Sequence, residues 1–203
     1  MLNKIILKIL NVNTIFRVRF YPWYNRLLFR LKNISYGRNM TILGKISVVG
    51  DGHIEIGENF YMTSGDHVNP ISGNLQGSIL TDNSKAEIHI GDNVGMSSTR
   101  MWIHDKLEIG NNVKIGACVL LIDTDMHPID YRSRRNSNEG TKSSPIIIED
   151  DVWIGAHSII LKGVTIGARS IIGAGSVVTK SIPADCIAAG NPCKVIKSLL
   201  KNT

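Results

Sequence analysis

The stretch PIIIEDDVWIGAHSIILKGVTIGARSIIGAGSVVTK, residues 145–180, carries an aliphatic side chain at every sixth position. A period of six fits neither the 3.6-residue turn of an α-helix nor the two-residue alternation of a single β-strand. It is typical of a β-solenoid, in which short parallel strands stack coil upon coil and the repeated side chains point into one core. The repeated positions are Ile148, Ile154, Ile160, Ile166, Ile172 and Val178.

The same period continues upstream of this stretch. Ile109, Ile115 and Leu121 are again six apart, and the fragments IEIGENF (54–60) and IHIGDNV (88–94) repeat the theme with interruptions. Gly and Asn recur near the aliphatic positions, and both tolerate the left-handed backbone angles of tight corners. The pattern predicts an all-β fold in the form of a parallel β-solenoid.

Two segments interrupt the period. Residues 65–85 have the composition of an elaborated coil, and residues 123–144 (DTDMHPIDYRSRRNSNEGTKSS) are polar almost throughout. Leu121 and Ile148 are 27 positions apart, which is not a multiple of six, so we expect residues 123–144 to be extruded from the solenoid. Long loops in compact domains usually serve function. We therefore predict a solenoid domain over 41–198 with a functional loop at 123–144.

Charge is distributed unevenly along the 203 residues. The net charge is +6, but residues 1–40 hold eight basic residues and no acid, which leaves −2 for the rest of the chain. A uniformly basic nucleic-acid binder would not show this division, so we expect no nucleic-acid partner. The three cysteines, Cys118, Cys186 and Cys193, lack CxxC spacing, which favours a cytoplasmic protein over a disulfide framework or a structural zinc site. No apolar stretch is long enough to span a membrane.

Helical spacing sets residues 1–40 apart as a basic appendage. Two interpretations of it stay open. Short helices there could pack on the open end of the solenoid, where strand edges and apolar side chains would otherwise be exposed. Alternatively, residues 1–35 could contact the cytoplasmic face of an anionic inner membrane through their basic and apolar side chains.

The repeat, the MHP of the loop and the AAGNP at 188–192 together resemble the hexapeptide-repeat O-acetyltransferases. The galactoside and maltose acetyltransferases and the polysaccharide-locus enzymes of the colanic acid type are the most similar members. The resemblance is dense over 107–198 and weaker over 40–106. It implies a left-handed parallel β-helix, a homotrimer, acetyl-CoA as donor without a metal, and active sites at subunit boundaries.

The resemblance also suggests which residues perform the chemistry. His127 matches the catalytic His-Pro of the family and is the predicted general base for a sugar hydroxyl. A carboxylate could orient its other ring nitrogen, and we expect Asp125 in that role; Asp123, Glu139 and a main-chain carbonyl are alternatives. Cys118 has no predicted partner histidine, so a direct transfer without a covalent enzyme intermediate is expected.

Further residues are predicted to bind the two substrates. Ser97, where relatives carry an acceptor-binding Asn, is a candidate acceptor contact, as are His104 and an outward-pointing Trp153. The acetyl-CoA contacts of the family map onto five positions. These are Ala156, Ala174, Thr179, Lys180 and Lys197.

These residues predict an acetyl-CoA-dependent O-acetyltransferase that acts on a sugar or oligosaccharide in bacterial surface polysaccharide (O-antigen or capsule) biosynthesis. Two alternatives remain: an N-acetyltransferase of a nucleotide-linked amino sugar, and a non-catalytic β-solenoid binding module. The γ-type carbonic anhydrases share the solenoid but bind zinc with two closely spaced histidines and a third. The intervals between histidines here, 14, 22, 15, 23 and 30, lack that spacing.

Overall fold

The computed structural model describes residues 18–65 and 68–200, and these form a parallel β-solenoid with three sheets. Each coil adds one strand to sheet A, one to sheet B and one to sheet C. Sheet A contains β1 (Ser35–Tyr36), β4 (His53–Ile56), β7 (Glu87–Ile90), β10 (Lys106–Ile109), β13 (Ile146–Ile148) and β16 (Thr165–Ile166). Sheet B contains β2 (Thr41–Leu43), β5 (Tyr61–Thr63), β8 (Gly95–Ser97), β11 (Lys114–Ala117), β14 (Trp153–Ile154), β17 (Ile171–Ile172), β19 (Cys186–Ala189) and β20 (Lys194–Ser198). Sheet C contains β3 (Ser47–Val49), β6 (Ser78–Thr81), β9 (Arg100–Ile103), β12 (Leu120–Ile122), β15 (Ile159–Leu161) and β18 (Val177–Val178).

The six-residue period corresponds to one strand and one corner of the solenoid. Ile148 in sheet A, Ile154 in sheet B and Ile160 in sheet C are all fully buried, and Ile148 pairs with Ile166 one coil later. Burying each such side chain contributes about 1.5–3 kcal/mol. The predicted all-β solenoid is confirmed, with a departure at its end, where β20 turns back and pairs antiparallel with β19.

A ladder of asparagines builds the corner between sheets A and B. Asn39, Asn59, Asn93 and Asn112 all have positive φ angles, between 56° and 61°. Each side-chain amide of the first three donates to the amide oxygen of the next, at 2.9, 2.9 and 3.1 Å. Asn is the non-glycine residue that tolerates this conformation best, so the ladder satisfies both the backbone and the stacked side chains.

A helix, α1 over 18–31, lies against the first coil. Phe29 is fully buried in the solenoid core, and the buried Asn25 donates to the carbonyl oxygens of Ile42 and Gly44 at 3.1 and 2.8 Å. The packing interpretation of the appendage is thus confirmed for these residues, while the predicted helical pattern before residue 18 lies outside the described residues. The first solenoid strand starts at Ser35, inside the predicted 1–40 appendage, because it pairs with β4.

The second predicted interruption leaves the solenoid, whereas the first, 65–85, rejoins it at β6. Between β5 and β6 the chain contains a 3₁₀ turn (Pro70–Ser72), and residues 123–145 connect β12 to β13 around a helix, α2 (Tyr131–Asn136). Within the described ranges, no helix is both long enough and apolar enough to cross a bilayer.

Candidate functional site

Most of the predicted site residues lie on two edges of the prism that flank sheet C, whereas Trp153 and Lys197 lie on sheet B. The B–C edge, where the chain passes from sheet B to sheet C, carries Ser97, then Ala156 two coils later and Ala174 one coil after that. Backbone bonds link its stacked corners, as from Gly175 N to Ala156 O at 2.8 Å. The C–A edge, where the chain leaves sheet C for sheet A, carries His104, the 123–144 loop, Thr179 and Lys180. One chain therefore divides most of the expected site between two edges.

The 123–144 loop is anchored at the C–A edge and presents His127 to solvent. A backbone hydrogen bond from Ser144 N to Asp123 O at 2.9 Å closes the base of the loop. A second one, from Asp125 N to Lys142 O at 2.9 Å, closes its first turn. His127 follows Met126, whose φ of 62° turns the chain outward, and precedes the buried Pro128. The imidazole is therefore exposed on a braced turn.

An amide, and not a carboxylate, faces the Nδ1 atom of His127. Nδ1 lies 3.1 Å from Oδ1 of Asn138, and because an amide oxygen only accepts, the contact favours the neutral tautomer with the proton on Nδ1 and the lone pair on Nε2. Asp125, the expected orienting group, is instead paired with Lys162 at 3.3 Å, one coil further along. This corrects the expected partner of His127, since the ammonium of Lys162 holds the Asp125 carboxylate.

Asp123, the alternative orienting group, has a structural task. Its carboxylate is fully buried and accepts the backbone N–H groups of His104, Asp105 and Lys106 at 2.7, 2.7 and 2.9 Å. Burial raises the pKa of Asp123, an effect that the three hydrogen bonds oppose. Asp123 therefore fixes the corner that carries His104 and does not orient His127. Glu139, the remaining carboxylate candidate, is exposed in the loop.

His104 is oriented by an acid from the preceding coil. Its Nδ1 atom lies 2.8 Å from Oδ1 of Asp82, and the other carboxylate oxygen of Asp82 accepts from Trp102 Nε1 at 2.9 Å. The Asp82 carboxylate is thus fixed from two sides and holds the imidazole in one orientation. This arrangement suits His104 to make a directed polar contact with a ligand on the C–A edge.

Ser97 and Trp153 share a cavity on sheet B. The cavity measures about 430 Å³ and is also lined by Tyr61 and Lys114. Trp153 is 55% exposed, so its predicted outward orientation is confirmed. Ser97 accepts from the Thr63 hydroxyl at 2.8 Å. Two of the three predicted acceptor residues thus lie together, whereas His104 lies on the C–A edge.

The predicted donor-binding residues divide in the same way. Ala156 and Ala174 lie on the B–C edge, where a Cβ on Gly155 would come within 2.5 Å of Ala174 N. This close stacking of small residues leaves the backbone of the edge uncovered by large side chains. Thr179 and Lys180 are exposed on the C–A edge, and Lys197 is exposed on β20, in the column of sheet B that contains Trp153.

A concave surface of about 1000 Å³ follows sheet A and contains none of the predicted site residues. Its lining includes Glu55, Glu108, Glu149, Asp150 and Asp151, so a cofactor with several phosphates would be repelled there. Among residues 18–65 and 68–200, no three His, Cys, Asp or Glu side chains are arranged to hold a metal ion.

Four residues of the candidate site escaped the sequence analysis. Asn138 lies eleven positions after His127 in a loop without a period, so no sequence signal marks their contact. Lys162 reaches Asp125 because their coils stack, and Asp82 and Trp102 join His104 for the same reason. The contact between Asp82 and His104 could be predicted only if the stacking register of the coils across the irregular 65–85 segment were known. The structure supplies that register.

Comparisons with known proteins agree with this architecture. Residues 145–180 match the family model described as bacterial transferase hexapeptide (six repeats). The chain is 44% identical over 115 residues to galactoside O-acetyltransferase of Escherichia coli K12, an alignment that covers 56% of this chain and 55% of that protein. The chain thus spans about half the length of this curated relative.

Two solved structures extend the likeness over most of the chain. A hexapeptide-repeat-containing acetyltransferase from Vibrio cholerae superposes with a TM-score of 0.59 at 27% identity, covering 95% of this chain and 88% of that one. A maltose O-acetyltransferase from Clostridium difficile 630 gives a TM-score of 0.50 at 28% identity, covering 91% and 89%. The fold is therefore the left-handed parallel β-helix expected from the sequence. In its repeat and its fold the chain is therefore similar to the hexapeptide-repeat transferases, whose family model matches residues 145–180.

Proposed function

We propose that this protein transfers the acetyl group of acetyl-CoA to a hydroxyl group of a sugar or oligosaccharide, in the biosynthesis of a bacterial surface polysaccharide. The observation that carries the proposal is the exposed His127 whose Nδ1 is held by Asn138 at 3.1 Å. That contact leaves Nε2 as the free base. The names of the galactoside and maltose O-acetyltransferase relatives support a sugar acceptor.

In the proposed reaction, Nε2 of His127 takes the proton of the sugar hydroxyl as its oxygen attacks the thioester carbonyl. The carbon–sulfur bond then breaks, and the protonated imidazole returns the proton to the departing CoA thiolate. A backbone N–H of the Ala156 corner stabilises the negative carbonyl oxygen in between. Lys180 and Lys197 supply positive charge for the phosphates of CoA. Atoms and charge balance without a metal.

Direct transfer agrees with the state of the cysteines. The Cys118 thiol is buried and points towards the carbonyl oxygen of Ser72 at 3.8 Å, so it is withheld from a substrate. Cys186 and Cys193 are also buried and free. Burial raises the pKa of Cys193, which keeps that thiol protonated and unreactive. Free thiols support the cytoplasm as the site of the reaction.

A homotrimer would complete the site. The outward side chains of sheet C form one apolar column and a second column that is apolar from Leu120 onward, whereas the outward side chains of β4, β7 and β10 in sheet A are charged residues or histidines. The apolar side chains of these two columns are half-buried in the single chain, and a contiguous apolar surface of this kind marks an interface. Sheet C lies between the B–C and C–A edges, so packing through it brings the Ala156 edge of one chain beside the His127 loop of a neighbour. The columns contain Leu80, Trp102, Ile122 and Leu161, and Leu120, Ile159 and Val177.

The proposal is tested by replacing the base. His127→Ala should lower the rate of acetyl-CoA turnover by about two to four orders of magnitude, the range expected for loss of a general base. His53→Ala is the matched control, because His53 is an exposed histidine on sheet A, far from the loop in the fold. CoA release is measured with hexoses, nucleotide-linked sugars, nucleotide-linked amino sugars and oligosaccharide repeat units. Near-normal activity of His127→Ala contradicts the mechanism, and turnover confined to amino sugars replaces O-transfer by N-transfer.

A further inference from the structure

The helix α1 presents an apolar stripe on the side opposite its packed face. Trp23 is 60% exposed, Leu27 41% and Leu31 74%. At 3.6 residues per turn these positions fall within an arc of about 80°. The buried Asn25 and Phe29 lie on the opposite side of the same helix. A single exposed apolar residue is ordinary, but a contiguous stripe indicates a binding surface.

Arginines border this stripe along one flank. Arg19, Arg26 and Arg30 project within an arc of about 40°, next to Trp23. Arg26 also donates to the carbonyl oxygen of Met40 at 2.9 Å, which ties this flank to the solenoid. The sequence contains no acidic residue before Asp51. The surface is therefore apolar and cationic together, on a helix already fixed in place by its other face.

We propose that this surface, the α1 docking face (Trp23, Leu27, Leu31, Arg19 and Arg30), binds an anionic phospholipid bilayer. The helix would lie flat, with its leucines in the acyl boundary and the indole at the headgroup level. The arginines would extend to the lipid phosphates. The cap and the membrane contact, which the sequence presents as alternatives, then belong to opposite faces of one helix.

Charge favours a bilayer over the other occupants that this face could take. Residues 1–17 contain Lys4, Lys8 and Arg17 and no acid, so they repel the arginine flank. A second copy that packed face to face would place the same arginines against one another. An anionic bilayer supplies an apolar layer and negative charge in one surface, which matches both halves of the docking face.

The experiment measures co-sedimentation of the full-length protein with vesicles. Vesicles of phosphatidylcholine with one quarter phosphatidylglycerol are compared with vesicles of phosphatidylcholine alone, at low and high salt. We expect binding only with phosphatidylglycerol, weakened by salt. The double variant Arg19→Gln/Arg30→Gln should reduce the partition coefficient about 30-fold, equivalent to about 1 kcal/mol per charge. The matched control Lys85→Gln/Lys194→Gln removes two exposed cations elsewhere and should bind as the wild type does.

A second measurement tests the apolar stripe. In a Trp102→Phe/Trp153→Phe background, Trp23 is the remaining tryptophan, and its emission should shift to the blue with anionic vesicles. Trp23→Ser/Leu31→Ser should weaken vesicle binding, and Val49→Ser/Ile129→Ser, at two other exposed apolar sites, should leave it unchanged.

Two results would overturn the docking face. One is equal binding by the arginine variant and its lysine control. The other is a blue shift that follows protein concentration in the absence of lipid, which would assign the stripe to a second copy. The inference rests on α1 and not on the proposed transferase activity. Acetyl transfer to a soluble acceptor, measured without lipid, therefore reports separately on the transferase proposal.

Discussion

At the scale of single residues, the neutral partner of His127 is the most informative contact. The Asn138 amide oxygen fixes the tautomer through Nδ1 but adds no negative charge, whereas a carboxylate would also stabilise the protonated imidazole. The loop thus orients the proposed base without favouring the protonated form, which cannot accept a proton. A conservative substitution of Asn138 can test this difference between an amide and a carboxylate partner.

Asn138→Asp should move the acidic limb of the rate profile to higher pH. The new carboxylate stabilises the protonated imidazole, so a larger fraction of His127 is blocked at a given acidic pH; a shift of about one pH unit is expected. The measurement is kcat/KM for acetyl transfer against pH. Asn136→Asp is the control, because Asn136 lines the same cavity as His127 and Asn138. Equal shifts in both variants would deny Asn138 its orienting role.

Asp123→Ala should destabilise the protein, and by a pH-dependent amount. Three buried N–H groups lose their acceptor, which costs about 3 kcal/mol, or a Tm lower by about 6–12 °C. Because burial raises the pKa of Asp123, the folded state binds the proton more tightly, and the wild-type contribution declines as pH rises from about 4. The difference in Tm between the proteins should therefore be larger at pH 4 than at pH 7, by calorimetry. A difference that grows with pH would contradict the raised pKa.

At the scale of elements, α1 caps the open end of the solenoid core. Strand edges and apolar side chains of a first coil need a cover, and α1 supplies Phe29 to the core and Asn25 to the backbone of the β2–β3 corner. The helical spacing predicted the helix and gave the cap as one of two interpretations, because sequence periodicity does not say which apolar face packs inward. The residues of α1 that contact the first coil, Phe29 and Asn25, are known only from the structure.

Phe29→Ala should lower the free energy of unfolding by about 3–5 kcal/mol, since it empties a fully buried aromatic site in the cap. Leu31→Ala, on the exposed side of the same helix, should change it by less than about 0.5 kcal/mol. Urea unfolding followed by circular dichroism measures both. Similar losses in the two variants would mean that α1 contributes through helix propensity and not through its packed face.

At the scale of the whole molecule, the fold followed from the sequence because one rule, an aliphatic residue every sixth position, repeats through most of the chain. Ile148, Ile154 and Ile160 each mark one sheet, so the period alone fixes three walls. The candidate site was harder to predict from the sequence than the fold. His127 could be named from the loop, yet its Asn138 contact is local to an aperiodic segment, and the cavity shared by Ser97 and Trp153 lies on a different edge. These residues lie on separate faces of one chain and would form one site only in the assembly proposed above.

Assembly through sheet C is tested by placing a charge on its outer face. Leu161→Glu puts a carboxylate in the aliphatic column beside Ile122, where a neighbouring chain would bury it without a partner. We expect trimers to dissociate to monomers by analytical ultracentrifugation. Acetyl transfer should fall with them while the circular dichroism spectrum persists, because the core column of Ile160 is untouched. The matched control is Ile147→Glu. Ile147 is an outward aliphatic residue of sheet A, so this variant should remain trimeric. If Ile147→Glu dissociates and Leu161→Glu does not, the interface lies on sheet A, and the composite site across sheet C is wrong.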